Sequence, residues 1–359
     1  MKKKNIFKKL LSVVLSAATT FSLLTLPAHA TIPAGDMYSI TTTTLYRYYC
    51  GSQSTQQLVV SNDDDMFPGT STYDFLDADQ LPNGYFGGGA DLQGIIGEDD
   101  RQPLPPNPFW DMTVLILVGV DTDNDGGADV FAVASGFLVD KNVMVTAMHA
   151  ICPTVVNINQ IKSVTVFHGI NNPAMCGDVA SLIAGADSAH IESVTYDPRY
   201  LTARESGGDE TAYDWCIVTL GARTGTNPNI EDNKGFDSYY LDCDIALSSI
   251  ETSEICVIGY SQDGLYSGED TQYQFLRQAG MGEALAYDGV ILTHDADTLQ
   301  GASGGPLISE ELTSVAVGYG IHLKTLSEDG MDPKEGIENY ARAITPEIYN
   351  AIVTIMEES

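Results

Sequence analysis

The stretch Thr298-Leu-Gln-Gly-Ala-Ser-Gly-Gly-Pro306 holds the sharpest chemical signal in the chain. Ser303 is flanked by Gly301, Gly304 and Gly305. Glycines permit a tight turn and let a substrate approach the main chain closely. Such a turn can aim the N–H groups of Gly301 and Ser303 at one point, which is what a developing oxyanion requires. A nucleophilic serine needs a base, and the base needs an orienting acid. Among the six histidines, His149 ends an apolar run, Val-Thr-Ala-Met-His-Ala-Ile-Cys152, and is the candidate base. His168, His190 and His294 read as surface or satisfied core residues. Asp214 opens another apolar run, Tyr-Asp-Trp-Cys-Ile-Val-Thr-Leu220. A carboxylate buried there requires a partner. The chemistry indicated is attack of a serine on an acyl group.

Those residues need a scaffold that brings distant segments together. Thr113 to Val120, Val130 to Val139, Val143 to Ala147, Ser163 to His168 and Trp215 to Leu220 are short β-branched runs. Ile255 to Ile258, Gly289 to Thr293 and Ser314 to Val317 continue the series, with Gly, Asn, Asp and Pro clusters between. This pattern predicts an all-β sandwich or barrel and not βαβ units. One helix closes the chain. Thr345 can cap it, Pro346 suits its first turn and Glu347 complements its dipole. Ile348, Ile352, Ile355 and Met356 fall on one face.

The chain of 359 residues carries 17 Lys+Arg against 49 Asp+Glu, a formal charge of −32. Such acidity argues against nucleic acid or anionic membrane surfaces as partners. Five of the lysines, Lys2, Lys3, Lys4, Lys8 and Lys9, precede an apolar run from Leu10 to about Leu26 and then Ala28-His29-Ala30. That is the form of a secretory signal peptide, residues 1–30, with an uncleaved anchor as the alternative. No other apolar run approaches the roughly 20 residues of a membrane span. Residues 31–94 show little periodicity and read as a propeptide or linker, or else a small extra domain. Residues 95–359 form the functional body. Cys50, Cys152, Cys176, Cys216, Cys243 and Cys256 have no C-x-x-C spacing. In an exported chain some should pair. Cys152 with Cys176, and Cys243 with Cys256, are the sequence neighbours, though four cysteines allow three connectivities. Cys216 reads as a buried free thiol.

The order of the three candidates separates two hydrolase architectures. An α/β-hydrolase runs serine, acid, histidine, but only His322 follows Ser303, with Glu310 and Glu311 between. The order His149, Asp214, Ser303 matches the chymotrypsin type. Thr-Ala-Met-His149 resembles the T-A-x-H segment of chymotrypsin-like proteases, and Gly301-Ala-Ser303-Gly-Gly-Pro306 resembles their G-D-S-G-G-P segment. More narrowly, the chain resembles the bacterial glutamyl-endopeptidase branch over residues 95 to 359. Ile95-Ile-Gly-Glu-Asp-Asp-Arg101 is similar to the mature N-terminus of that branch, and Ile258-Gly-Tyr260 to its G-Y-P strand with Ser261 in place of Pro. Ala343-Ile-Thr345 and the closing helix are similar as well. Ala302 departs from the family's acid or amide before the serine, and Leu323-Lys324-Thr325 from a segment that often contains glycine.

The resemblance implies an all-β fold of two six-stranded antiparallel barrels with a C-terminal helix. It implies a secreted, zymogenic serine endopeptidase, monomeric, acting on protein or peptide substrates. Ser303 is the nucleophile, His149 the base, Asp214 its orienting acid, and the Gly301 and Ser303 amides form the oxyanion hole. In the branch, a histidine in a G-I-H segment and a threonine five residues before the serine recognise a P1 carboxylate. Gly320-Ile-His322 and Thr298 occupy those places, which implies cleavage after Glu, with Asp second. An imidazole and a hydroxyl suit a carboxylate physically. A different P1 preference and a non-catalytic binding module on the same scaffold are the alternatives. No cofactor is required. Asp121-Thr-Asp-Asn-Asp-Gly-Gly-Ala-Asp129 begins like a calcium loop, but Ala132 stands where an EF-hand needs Glu. Calcium there would steady a hairpin and take no catalytic part.

Overall fold

The computed structural model describes residues 42–61, 75–76, 95–104, 110–121, 128, 130–152, 161–168, 170, 182, 186–224, 240–241, 254–261, 277–309, 317–326 and 336–359. It opens with a hairpin of β1 (Thr42–Tyr49) and β2 (Ser54–Ser61), followed by β3 (Phe75–Leu76) and β4 (Gln102–Pro103). Then come β5 (Thr113–Val120), β6 (Val130–Asp140), β7 (Val143–Thr146), the single-turn helix α1 (Met148–Ile151), β8 (Ile161–His168) and β9 (Asp187–Tyr196). Helix α2 (Pro198–Glu205) precedes β10 (Cys216–Thr224). The order β10-β7-β6-β5-β8-β9 closes on itself because β9 also pairs with β10. These six strands form the first antiparallel barrel.

The second half holds β11 (Tyr240–Leu241), β12 (Glu254–Tyr260), β13 (Arg277–Tyr287), β14 (Ile291–His294), β15 (Pro306–Ser309), β16 (Val317–Leu326) and β17 (Glu338–Ala343). The order β16-β15-β12-β13-β14-β17 closes through β16 and β17 into a second six-stranded antiparallel barrel. Two short strands lie outside it: β4 on β13, and β11 parallel to β16. The fold is therefore the expected all-β pair of barrels, and it ends in α3 (Pro346–Glu358).

Strand β5 shows why the apolar runs read so clearly. All eight of its residues are buried. Val114, Ile116, Val118 and Val120 join the main core cluster. Leu115 and Leu117, pointing the other way, pack with Val133, Phe167 and Tyr260 in a second cluster. The period of two is intact, but both faces are covered. A third cluster, including Ile255, Val257, Leu292, Leu307 and Tyr319, fills the second barrel. Helix α3 buries Ile348, Ala351, Ile352 and Ile355, while Met356 is only partly covered. Each fully buried side chain of this kind contributes roughly 1.5–3 kcal/mol relative to exposure. Thr345 occupies the cap position, but its hydroxyl makes no capping bond, contrary to the sequence expectation.

Two elements carry weak sequence signals, and one expected disulfide is corrected. Residues 42–61 are regular strands. Their alternation is hidden because Arg47, Thr55 and Gln56 are buried among apolar neighbours. Helix α2 is polar and buries only Tyr200 and Leu201, and Asp197 caps it by accepting the Arg199 amide at 2.9 Å. Cys152 is a free thiol and not half of a Cys152–Cys176 bridge. It lies within the main core, and burial pushes its pKa up to about 12, so it stays protonated. Cys176 and Cys243, and with them the Cys243–Cys256 pairing, lie outside the described residues. Cys216 is the buried free thiol anticipated. Among the described residues, no helix is long and apolar enough to cross a membrane.

Candidate active site

His149 and Asp214 are 65 residues apart in sequence and are joined by strand pairing. β7 runs antiparallel to β10 with Thr146 opposite Cys216. His149 lies in the turn of helix after β7, and Asp214 lies two residues ahead of β10, so the register sets them side by side. The Asp214 carboxylate engages His149 twice. One oxygen accepts the backbone N–H at 2.9 Å, and the other pairs with Nδ1 at 2.6 Å. Both residues are buried, at 7% and 5% exposure. Burial works to raise the Asp214 pKa, but the charge and hydrogen bonds of His149 hold it below the ordinary carboxylate value. An Nδ1–H donated to the carboxylate fixes the tautomer that presents Nε2 as a base.

Ser303 comes from the other barrel, in the turn between β14 and β15. Ser135, in the middle of β6, clamps this turn across the barrel junction. Its amide donates to Ser303 O at 2.8 Å, and its hydroxyl donates to Gly301 O at 2.7 Å. The same hydroxyl accepts the Tyr260 amide at 2.8 Å. The turn is further pinned by Ala302 N to Leu299 O at 3.0 Å and Gly304 N to His322 O at 2.7 Å. Gly301 and Gly304 adopt φ of 102° and 83°. A Cβ on Gly304 would meet Thr146 Oγ1 at 2.0 Å and Ser135 O at 2.2 Å. Only glycine permits that approach, which seats the Ser303 turn against the strand leading to His149. The Ser303 hydroxyl donates to Leu323 O at 2.9 Å. Ala302, the departure from the family motif, is buried against Gly259.

Thr298 and His322 are both buried in the second barrel, on the segment before Ser303 and on β16. Thr298 Oγ1 donates to Asn339 Oδ1 at 3.3 Å, Thr325 donates to the same oxygen, and Asn339 Nδ2 donates to Ala296 O at 2.8 Å. The His322 ring lies edge to face with His294, centroids 5.5 Å apart. Burial, then the charges of His294 and His149, holds the His322 pKa well below the ordinary imidazole value. Burial lowers that of His294 to about 3. Both rings are therefore neutral near pH 7, and His322 can meet a carboxylate as an N–H donor. The ring nitrogens of His294 and His322 find no hydrogen-bond partner among the described residues.

The segment at Ile95 docks beside this wall. Asp297, next to Thr298, accepts Ile96 N at 2.8 Å and Asp100 N at 3.0 Å, and Gly336 N donates to Ile95 O at 3.1 Å. Burial, reinforced by the Asp100 carboxylate and only partly offset by the two amides, raises the Asp297 pKa to about 6.

Sequence reasoning missed Ser135, Asp297, His294 and Asn339. Ser135 is a lone polar residue in the apolar run of β6, and that contrast was the available signal. His294 reads in the sequence as a surface or satisfied core residue; it is core, but its ring nitrogens have no partner among the described residues. His190 is exposed, as that reading allowed. In the acidic Asp121–Asp129 loop, only Asp121 and Ala128 are described. Asp121 is buried and pairs with Lys162 at 3.1 Å.

Two closed barrels with a glycine-framed serine at their junction define the class, a two-barrel serine endopeptidase. Residues 134–317 match the family model for the trypsin-like peptidase domain, and the chain belongs to that family. A solved structure of Glu endopeptidase in complex with MPD is similar to 74% of this chain and to 100% of that one, with 15% identity and a TM-score of 0.49. The comparison with curated proteins gives no match.

Proposed function

We propose that Ser303 attacks the scissile carbonyl of a peptide, with His149 taking its proton and later returning it to the leaving amine. Asp214 holds the imidazole, and the amides of Gly301 and Ser303 hold the oxyanion. The observation that carries this reading is the double grip of Asp214 on His149 beside a serine turn clamped by Ser135. Ser303 Oγ has one proton and gives it to Leu323 O in the resting structure. Activation requires it to rotate toward His149. A water that gives its proton to His149 then attacks the acyl group on Ser303, which releases the carboxylic acid as the proton returns to Ser303 Oγ. Removing a member of such a unit costs on the order of 10⁴-fold in rate. Ser303→Ala should lose hydrolysis and keep the fold, and comparable turnover of a peptide by that variant would refute the mechanism.

The preferred P1 residue in this reading is Glu, with Asp second. His322 supplies an N–H, the Thr298 hydroxyl would turn from Asn339 Oδ1, to which it donates in the resting structure, toward the P1 carboxylate, and neither carries a negative charge. A P1-varied peptide library tests it: cleavage dominated by Phe, Leu or Arg at P1 would remove the roles of His322 and Thr298. The enzyme is exported through residues 1–30 and activated by a cut ahead of Ile95. N-terminal sequencing of the secreted protein tests the cut, and a fully active uncut chain starting at Thr31 would refute zymogen control.

A further inference from the structure

The stretch from 31 to 94 is the one the activation reading marks for severing, yet part of it is built into the enzyme. Strand β1 lies antiparallel along β9, with Tyr46 opposite Tyr196 and Tyr49 opposite Ser193. Those same β9 residues pair with β10 on their other side. β8 covers β9 only over Asp187–His190. β1 thus takes up the barrel edge where β8 ends, and Cys50 N extends the ladder to Glu192 O at 2.9 Å. Without it, the β9 backbone facing β1 would be a bare edge.

Side chains tie the hairpin down as firmly. Leu45, Leu58 and Val60 are buried in the main core together with Ile348, Ile352 and Ile355 of α3. Arg47, 7% exposed, pairs with Glu358 at 2.6 Å and donates to Thr195 Oγ1 at 3.2 Å. Thr43 Oγ1 donates to Glu347 Oε1 at 2.8 Å. The hairpin therefore bonds the first barrel and both ends of the closing helix. Glu358 lies at the exposed end of α3, its side chain 30% accessible, so the ion pair is the lesser tie and the buried Leu45, Leu58 and Val60 carry most of the hold.

We propose that the β1–β2 hairpin stays on the enzyme after the cut ahead of Ile95, so that the mature protease is a two-chain particle. The inference rests on the processing reading above. Activation in this scheme depends on breaking the chain near Ile95, not on losing the segment before it. The partner of the exposed β9 edge and of Glu358 is this chain's own severed N-terminal segment.

Native and denaturing mass spectrometry of the secreted enzyme, with N-terminal sequencing, tests the proposal. The expected result is two N-termini in equal amounts, one before Thr42 and one near Ile95, a native mass equal to their sum, and separation in denaturant. A single species starting near Ile95 keeps the processing and overturns retention. One unbroken chain from before Thr42 to Ser359 overturns the processing and the two-chain particle with it. Leu45→Asp, placed in the shared core, should lower the amount of hairpin co-eluting with processed enzyme at least tenfold. Undiminished co-elution would count against the contacts named here.

Discussion

The backbone N–H of Ser135 donates to the carbonyl oxygen of Ser303 at 2.8 Å, so the first barrel holds the Ser303 turn of the second. The Ser135 hydroxyl extends the grip to Gly301 O and Tyr260 N. Ser135→Ala removes the hydroxyl while keeping the amide bond. Leaving those two buried groups without it should cost about 1–3 kcal/mol of stability. The oxyanion turn should loosen, so kcat should fall more than KM rises. Denaturant titration and steady-state kinetics check both; an unchanged kcat would limit Ser135 to a structural role.

Asp214 grips the amide and the ring of His149 together, so Asp214→Asn disturbs both. The tautomer then presented to Ser303 is wrong, and kcat should fall about 10⁴-fold at neutral pH. The stability effect has a definite sign. The Asp214 pKa is lowered in the fold, so its contribution is present above the ordinary carboxylate value near pH 4 and is lost as pH falls through the folded value. Denaturation midpoints from pH 6 downward should show this loss in Ser303→Ala protein and less of it once Asp214→Asn is added.

Asp297 has the opposite sign. Its pKa is raised to about 6, so the fold favours its protonated form. That contribution is full below about pH 4 and lost as pH rises through about 6. Asp297→Asn should flatten the fall in Tm across this window. A Tm profile as steep as that of the parent would show that Asp297 is not the group responsible.

His322 sits buried against His294 with neutral character at neutral pH. His322→Leu exchanges a buried polar ring for an apolar side chain of similar reach, so the fold should hold, with Tm unchanged or higher. Hydrolysis after Glu should fall at least tenfold in kcat/KM relative to hydrolysis after Leu or Phe. Equal losses for all P1 residues would assign His322 to the integrity of the barrel, not to selection.

The runs that sequence resolved are those where packing covers both faces of a strand. β5 and β7 are unbroken apolar stretches, and the sequence placed them closely. β13 escaped notice because Gly280 and Gly282 interrupt it. The reason lies in a contact no sequence pattern carries: a Cβ on Gly280 would meet Asp297 O at 1.9 Å. The strand is thinned so that the segment leading to Thr298 can press against it. His149 and Ser303 stand out by their short motifs and Asp214 by opening an apolar strand, and the order of the three narrows the architecture. Ser135 and His294 were not, since their roles come from a partner on another strand. The buried hairpin was obscured by Arg47, whose carboxylate partner lies at the far end of the chain.

The acidity of −32 remains a global field against which any P1 carboxylate must be drawn in. Selection after Glu should therefore strengthen with salt as that repulsion is screened. Measuring kcat/KM for paired Glu and Gln substrates across ionic strength checks this.

Fluorophosphonate labelling of processed enzyme, followed by peptide mapping of the adduct, asks whether Ser303 is the nucleophile that His149 activates. A single phosphonylated residue, Ser303, is expected, with labelling lost on prior denaturation and in His149→Ala protein. Labelling at another residue, or labelling of Ser303 undiminished in His149→Ala, would contradict it.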